Sequence, residues 1–304
     1  MTPENIHLRQ ADHLMITVLV DNHANALVTP SGGTAPLLAE HGLSCLITVQ
    51  AGDETHKIMM DAGFSATCLL QNAESLEIDW NEIEEVALSH GHFDHFGGVY
   101  AALQRMGTQT PLSLHPDAFL ERRKNDPVDG PDLRPRLDRE ALEEAGAEIR
   151  TATGPTPLAD GLVLMTGEVP RTTTFEQGSP SSEARIDGAW QPDSFRDDQG
   201  LVVDLKGLGL VVISGCAHAG IINTIRYAQH LAGTEQVHAV IGGFHLSGPA
   251  GDPLIEPTVR AMRQIDPTYL IPLHCTGWNA SRAFADAMPD QFILNTVGTT
   301  YIFP

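Results

Sequence analysis

The sequence predicts an α/β fold: an αββα sandwich, with two mixed β-sheets inside and helices outside. Two patterns carry this. Apolar runs near the start of the chain are close together and joined by a hairpin turn at Gly52-Asp53, and strand–helix alternation follows. The second half repeats the order, so each half is strand-rich first and helical afterwards. A third observation places the chemistry. Several apolar runs end in a histidine next to a small residue, where a sheet presents side chains to a cleft.

In order, the apolar runs predict strands over 14–20, 43–49 and 57–63 and a strand over 83–88. Residues 23–42 read as irregular, with Pro30-Ser31-Gly32-Gly33 as a link. Helices are expected over 99–106, 140–145, 220–231, 256–265 and 281–287. Further strands are expected over 112–116, 161–166, 201–205, 208–214, 237–241 and 269–273, with closing strands within 291–303. The proline- and glycine-punctuated segment 121–139 reads as a charged loop, holding six of the chain's 18 basic residues. It is either a cationic rim for a phosphate or carboxylate substrate, or a solvated loop, or a segment paired with neighbouring acids or another subunit. Residues 170–199 are poor in apolar side chains but include Trp190 and Phe195, and read as a lid or insertion. The expected organisation is one domain over 1–304 with these two excursions.

Composition narrows the function. The 39 acidic against 18 basic residues give a net charge of −21. That disfavours a nucleic-acid partner and an anionic membrane, both of which attract a basic surface. No stretch has the length of a membrane span, and the N-terminal segment has no basic flank for a signal core. The four cysteines, at 45, 68, 216 and 275, form no Cys-x-x-Cys pair, so cytoplasm is the expected location.

The densest chemistry lies in Ser89-His90-Gly91-His92-Phe93-Asp94-His95-Phe96-Gly97-Gly98. His90 and His92 are two apart, so on an extended segment they point to the same side. Asp94 and His95 follow where the chain turns and can face a second point. This suits two adjacent cations, His90 and His92 on one and Asp94 and His95 on the other. Imidazole with carboxylate favours zinc, and iron or manganese, over calcium.

His-x-His-x-Asp-His after an apolar strand resembles the signature of the metallo-β-lactamase-fold hydrolases. Other blocks resemble the subgroup named for 7,8-dihydropterin-6-methyl-4-(ribofuranosyl)aminobenzene-phosphate synthase: Ala39 to Ser44, Leu88 to His92, Ser214 to Gly220, Gly242 to Leu246 and Pro272 to Gly277. The resemblance spans positions 15 to 280. It implies one or two divalent metal ions and assigns His274 to the Asp94/His95 cation. It assigns Asp61 as a residue orienting the ligand loop. Two departures stand out. No histidine lies between His115 and His218, and Cys216 stands where the fold has a bridging aspartate. The subgroup's own Gly-Cys-x-His block implies that His218 takes over as ligand to the His90/His92 cation, and Cys216 is a thiolate ligand, a bridge or a buried thiol. His245 reads as a proton donor on the substrate side, and His41 either reaches the site mouth or ends a helix.

The expected reaction is hydrolysis by water activated on the metal, acting on a small anionic phosphoester or ester. Asp94 and His245 move protons, and Arg171 and the 121–139 segment face the anion. Phe64, Phe93, Phe96, Phe244 and Trp278 are candidates for stacking a flat ring. The subgroup resemblance implies a pterin condensation as one candidate. An iron-dependent oxidoreductase and a non-catalytic binding protein are the alternatives, and a homo-oligomer is compatible with all three. Histidines 7, 13, 23, 56, 230 and 238 read as surface or helix residues.

Overall fold

The structure is a computed structural model that describes residues 8–25, 36–107, 109–126, 130–178 and 182–304. His7 and Pro30-Ser31-Gly32-Gly33 lie outside the described residues. Two seven-stranded mixed sheets pack face to face. In the first, the spatial order is Thr300–Phe303, His13–Val20, Ser44–Ala51, Glu54–Met60, Glu85–Ala87, Thr110–Leu114 and Ala147–Thr151. The second runs Thr156–Leu158, Val163–Met165, Gly200–Leu205, Gly209–Ser214, Val237–Gly243 and Tyr269–Leu273, with Gln10–Ala11 pairing alongside Gly200–Leu205.

Strand alternation decides which side chain goes where. Ile16, Val18, Ile47 and Ile58 of one sheet meet Val203, Val211, Ile213 and Ile241 of the other in a shared core. Their neighbours point outward. Leu19, Met59 and Val86 pack under the helices Ala66–Ser75 and Val99–Met106 through Leu69 and Leu103. On the far side Val202, Val212 and Val240 pack under Ile221–Ala232, Ile255–Ile265 and Trp278–Ala287. Each fully buried aliphatic side chain contributes about 1.5–3 kcal/mol, so both faces of both sheets are stabilised.

Several expectations need correcting. The charged segment 121–139 is not simply a loop: it contains strands Arg122–Asp126 and Gly130–Leu133. The segment 170–199 contains strands Ser182–Ile186 and Ala189–Pro192. These four join as a separate sheet in which Arg122–Asp126 is the central partner of Ser182–Ile186, pairing Lys124 with Ser182. Two stretches that look unstructured when read singly supply each other's backbone partners. The helix Ala66–Ser75 and the strand Ala147–Thr151 are absent from the sequence reading. Of the expected closing strands, only Thr300–Phe303 forms a ladder, with a single bridge at Phe292.

Three strands of the second sheet, Gly209–Ser214, Val237–Gly243 and Tyr269–Leu273, are parallel and in register, so Ser214, Gly242 and Pro272 sit side by side. In the first sheet Glu54–Met60 and Glu85–Ala87 are also parallel, placing Met60 beside Ala87. The loops that follow these ends build the site.

Candidate metal centre

Eight donor residues converge there. After Glu85–Ala87, the loop Leu88–His92 carries His90 and His92, and the short helix Phe93–Phe96 carries Asp94 and His95. Cys216 and His218 follow Gly209–Ser214, His245 follows Val237–Gly243, and His274 follows Tyr269–Leu273. Asp61, Ala217, His245 and His274 all have φ near +50 to +58, so their strands end in a left-handed residue without being glycine. Such strain persists only where surrounding contacts over-determine it, and it clusters at functional sites.

The donors form overlapping groups. His90 Nε2 lies 3.0 Å from His92 Nδ1 and 3.2 Å from His218 Nε2, and His218 Nε2 lies 3.2 Å from His92 Nδ1. Burial, then neighbouring imidazoles, hold His90 and His218 well below the usual imidazole range. Burial and the Arg122 guanidinium push His92 down to about 3. Three neutral rings thus aim nitrogens at one point. In the second group, Asp94, His95, Cys216 and His274 place one donor atom each within 4.8 Å of one another. His95 Nε2 is 3.2 Å from Cys216 Sγ, and His274 Nε2 is 3.3 Å from Asp94 Oδ2. Although burial alone would raise Asp94, His95, His274 and His41 hold it far below the usual carboxylate range. Cys216, His218 and His245 make a third group within the same limit.

This donor set fits divalent cations. The buried His274 Nε2 makes no hydrogen bond, and three lone-pair-bearing nitrogens about 3 Å apart cannot all donate to one another. A cation at each centre satisfies both conditions. Nitrogen, oxygen and sulfur together suit zinc or a neighbouring transition metal better than calcium.

The rings are held from behind. Asp61 Oδ2 accepts from His95 Nδ1 at 2.6 Å and from Ser89 Oγ at 2.7 Å, while Oδ1 accepts from the Ser89 N–H. This leaves His95 Nε2 facing the cluster. His95 is raised to about 9: burial opposes the charge, but Asp61 and Asp94 outweigh it. Ser89 Oγ lies 2.9 Å from His90 Nδ1. The sequence reading missed the equivalent clamp on His274. Asp21 Oδ1 accepts from the His274 N–H at 2.8 Å, and Asn22 bonds both the His274 carbonyl and its Nδ1. The signal was two polar residues closing the first apolar strand. Phe195 stacks on His218 at 4.4 Å with an interplanar angle of 9°. Asp197 accepts from the Gly91 N–H at 2.8 Å, and Arg122 joins Asp197 to Asp193. Gly91 must be glycine, since a Cβ there would sit 2.1 Å from the Ala118 carbonyl oxygen.

A cavity of about 630 Å³ opens over the donors, lined among others by His41, Phe64, Phe93, His245, Lys124 and Arg134. His41 reaches the mouth, with its Nε2 3.3 Å from Asp94 Oδ2. Of the substrate residues expected from sequence, Phe64 lines the cavity edge-on to Phe93. Phe244 does not: it is 2% exposed and packs on Phe284 in the core. Phe96 is likewise core. Arg171 is not on the cavity wall; its Nη2 donates to the His218 carbonyl behind the ligand loop. Trp278 is exposed but outside the cavity lining. Arg122, expected on a cationic rim, is buried in the ion pairs with Asp193 and Asp197. His115 is turned away to Glu168.

Comparison with known proteins agrees with this architecture. The model of the metallo-beta-lactamase superfamily matches residues 41–227. The 7,8-dihydropterin-6-methyl-4-(beta-D-ribofuranosyl)-aminobenzene-5'-phosphate synthase of Methanocaldococcus jannaschii is 27% identical over 94% of this chain and 96% of its own. An uncharacterized protein of the same organism is 29% identical over 93% and 98%. Among solved structures, a metal-dependent hydrolase of the beta-lactamase superfamily superposes with a TM-score of 0.76 at 25% identity, covering 95% of this chain and 98% of that one. Among the described residues, no helix is long and apolar enough to cross a membrane.

Proposed function

We propose, from the premise that the chain belongs to the metallo-β-lactamase superfamily, that it is a metal-dependent enzyme that cleaves or transfers a phosphoester or ester group of a small anionic substrate. The family and the relative named as a synthase indicate an enzyme. The observation that carries the finer reading is the pair of adjoining donor groups at the floor of one cavity. His90, His92 and His218 would hold one cation, and Asp94, His95 and His274 the other, with Cys216 at the second. Divalent cations supply Lewis acidity and lower the pKa of water.

The chain's own residues set the geometry. Asp61 fixes His95, Asn22 fixes His274, and Phe195 fixes the plane of His218. His245, exposed at the cavity wall beside Cys275, is positioned to give a proton to a leaving group. Its solvent-accessible ring is still partly desolvated by the cavity walls, which disfavours the charged form, but Cys275 outweighs this and raises its pKa, which suits a proton donor. The relative named for making a dihydropterin joined to a ribofuranosylaminobenzene phosphate extends the reading to transfer chemistry on a pterin. Phe64 and Phe93 offer a flat ring a contact surface.

The test is elemental analysis of protein purified without a metal-affinity tag, followed by phosphodiesterase and esterase assays. One or two zinc or manganese ions per chain, lost together with activity in His92→Ala, is the expected result. A variant that retains both metal and turnover refutes the assignment. The thiol of Cys216 within the donor set favours one second reading, an iron-dependent oxidoreductase. Bound iron with a visible chromophore, and oxygen uptake with a thiol or persulfide, would replace the hydrolytic reading.

A further inference from the structure

Resting on that reading, we infer that the accessory four-stranded sheet carries an oxyanion subsite made by Lys124, Ser182 and Arg134. The substrate then bears a second anionic group, phosphate or carboxylate, remote from the bond that reacts. The argument starts from strand register. Lys124 is paired directly with Ser182 on one neighbour and with Asp132 on the other. Directly paired residues share a face of a sheet, as do residues two apart on a strand. Arg122, Lys124, Ser182, Ala184, Asp132 and Arg134 therefore lie on one face. The Arg134 N–H donates to the Arg122 carbonyl, which carries the ladder out to Arg134.

That face looks into the cavity. Arg122, Lys124, Ser182 and Arg134 all line it, as do Arg123, Glu183 and Asp193, together with the donor residues His92, Asp94, Cys216 and His218. Its charges are unevenly committed. Arg122 is spent on buried Asp193 and Asp197. Arg123, on the other face, is held by Glu183 at 2.6 Å and lies 4.4 Å over the Trp190 ring. Among the described residues no ion pair involves Lys124, and Arg134 meets only the exposed Asp132, at 3.2 Å. An ammonium, a hydroxyl and a guanidinium thus share one wall, where the exposed Asp132 competes for Arg134 while Glu183 and Asp193 are already paired with Arg123 and Arg122. The chain carries a net charge of −21 and has only 18 basic residues, so this wall gives an anionic substrate a local cationic contact within a repulsive overall field. Ammonium and guanidinium groups recognise phosphate and carboxylate oxygens by charge-assisted hydrogen bonds.

The test uses binding, so that it is independent of turnover. Isothermal titration of metal-loaded protein compares thymidine 5'-monophosphate with two ligands that add a remote anion, thymidine 3',5'-bisphosphate and 3'-O-succinylthymidine 5'-monophosphate. At least one tailed ligand should bind about tenfold or more tightly than the monophosphate, as one or two charge-assisted contacts allow. Which tail is preferred tells phosphate from carboxylate. Lys124→Gln/Arg134→Gln should erase the preference while metal content stays that of the parent. Both side chains are exposed, so the fold does not depend on them. Asp132→Asn should increase the preference by freeing Arg134. A wild-type protein that does not distinguish the ligands, or a double variant that still prefers a tail, overturns the subsite. Metal content is measured on the same samples. Loss of the metal-dependent reading would show there, while the tail preference is read independently.

Discussion

Replacing Arg122 with methionine should cost the fold more than any other single change on the accessory sheet. The Arg122 side chain is 4% exposed, its Nε donates to Asp193 at 2.8 Å, and its Nη2 donates to Asp197 at 2.7 Å. Methionine keeps much of the stem but leaves two buried carboxylates facing each other without a cation. Breaking a buried pair from one side costs about 3–5 kcal/mol, because the remaining charge is uncompensated. With an unfolding entropy of roughly 2.1 cal/mol/K per residue over 304 residues, that corresponds to a fall in Tm of about 5–8 °C. The effect should also reach the metal loop. Asp197 holds the Gly91 N–H and Arg122 Nη1 donates to the Gly91 carbonyl at 3.4 Å, so both sides of the peptide between His90 and His92 are braced. The assay is denaturant unfolding of metal-free protein in a double-mutant cycle of Arg122→Met with Asp197→Asn. A coupling energy above about 1 kcal/mol is expected, because removing the second partner relieves the charge the first left behind. A loss below about 1 kcal/mol for Arg122→Met, or strictly additive singles, would refute the brace.

Three further outcomes follow from the same geometry. Asn22→Ala removes the group that fixes His274 Nδ1, and should weaken metal affinity on the order of 10–100-fold in chelator competition; unchanged affinity would mean His274 is oriented by packing alone. Gly97→Ala would put a Cβ 1.9 Å from the Phe64 carbonyl oxygen, and should cost about 1–3 kcal/mol or more in urea unfolding, where an unchanged midpoint would count against this packing. In metal-free protein the folded pKa of His92 lies at about 3 against 6.5 unfolded, so its contribution is present above pH 6.5 and is lost as pH falls toward 3. By pH 5 that loss is roughly 2 kcal/mol from His92 alone. His92→Asn should flatten this part of the pH–stability curve, and an equally steep curve in the variant would show that the acid sensitivity arises elsewhere.

The sequence by itself determined the local chemistry. Continuous apolar runs mark most core strands, and the spacing of His90, His92, Asp94 and His95 marks a metal-ligand loop, because these features depend only on residues adjacent in the chain. It also pointed to His218 and His274 through their places at strand ends. Only the tertiary structure decided the rest, because the rest depends on partners far apart in sequence. The arginine-rich segment 121–139 and the serine- and proline-rich segment 170–199 each lack the hydrogen-bond partner a strand requires, and each finds it in the other. Arg122 looks like any other loop cation until Asp193 and Asp197, about 70 residues on, enclose it. Asp21 and Asn22 show their role only when His274, over 250 residues away, folds against them. Phe244 sits beside His245 in sequence and Arg171 is expected to face the anion, yet strand alternation turns the first into the core and loop packing draws the second behind His218.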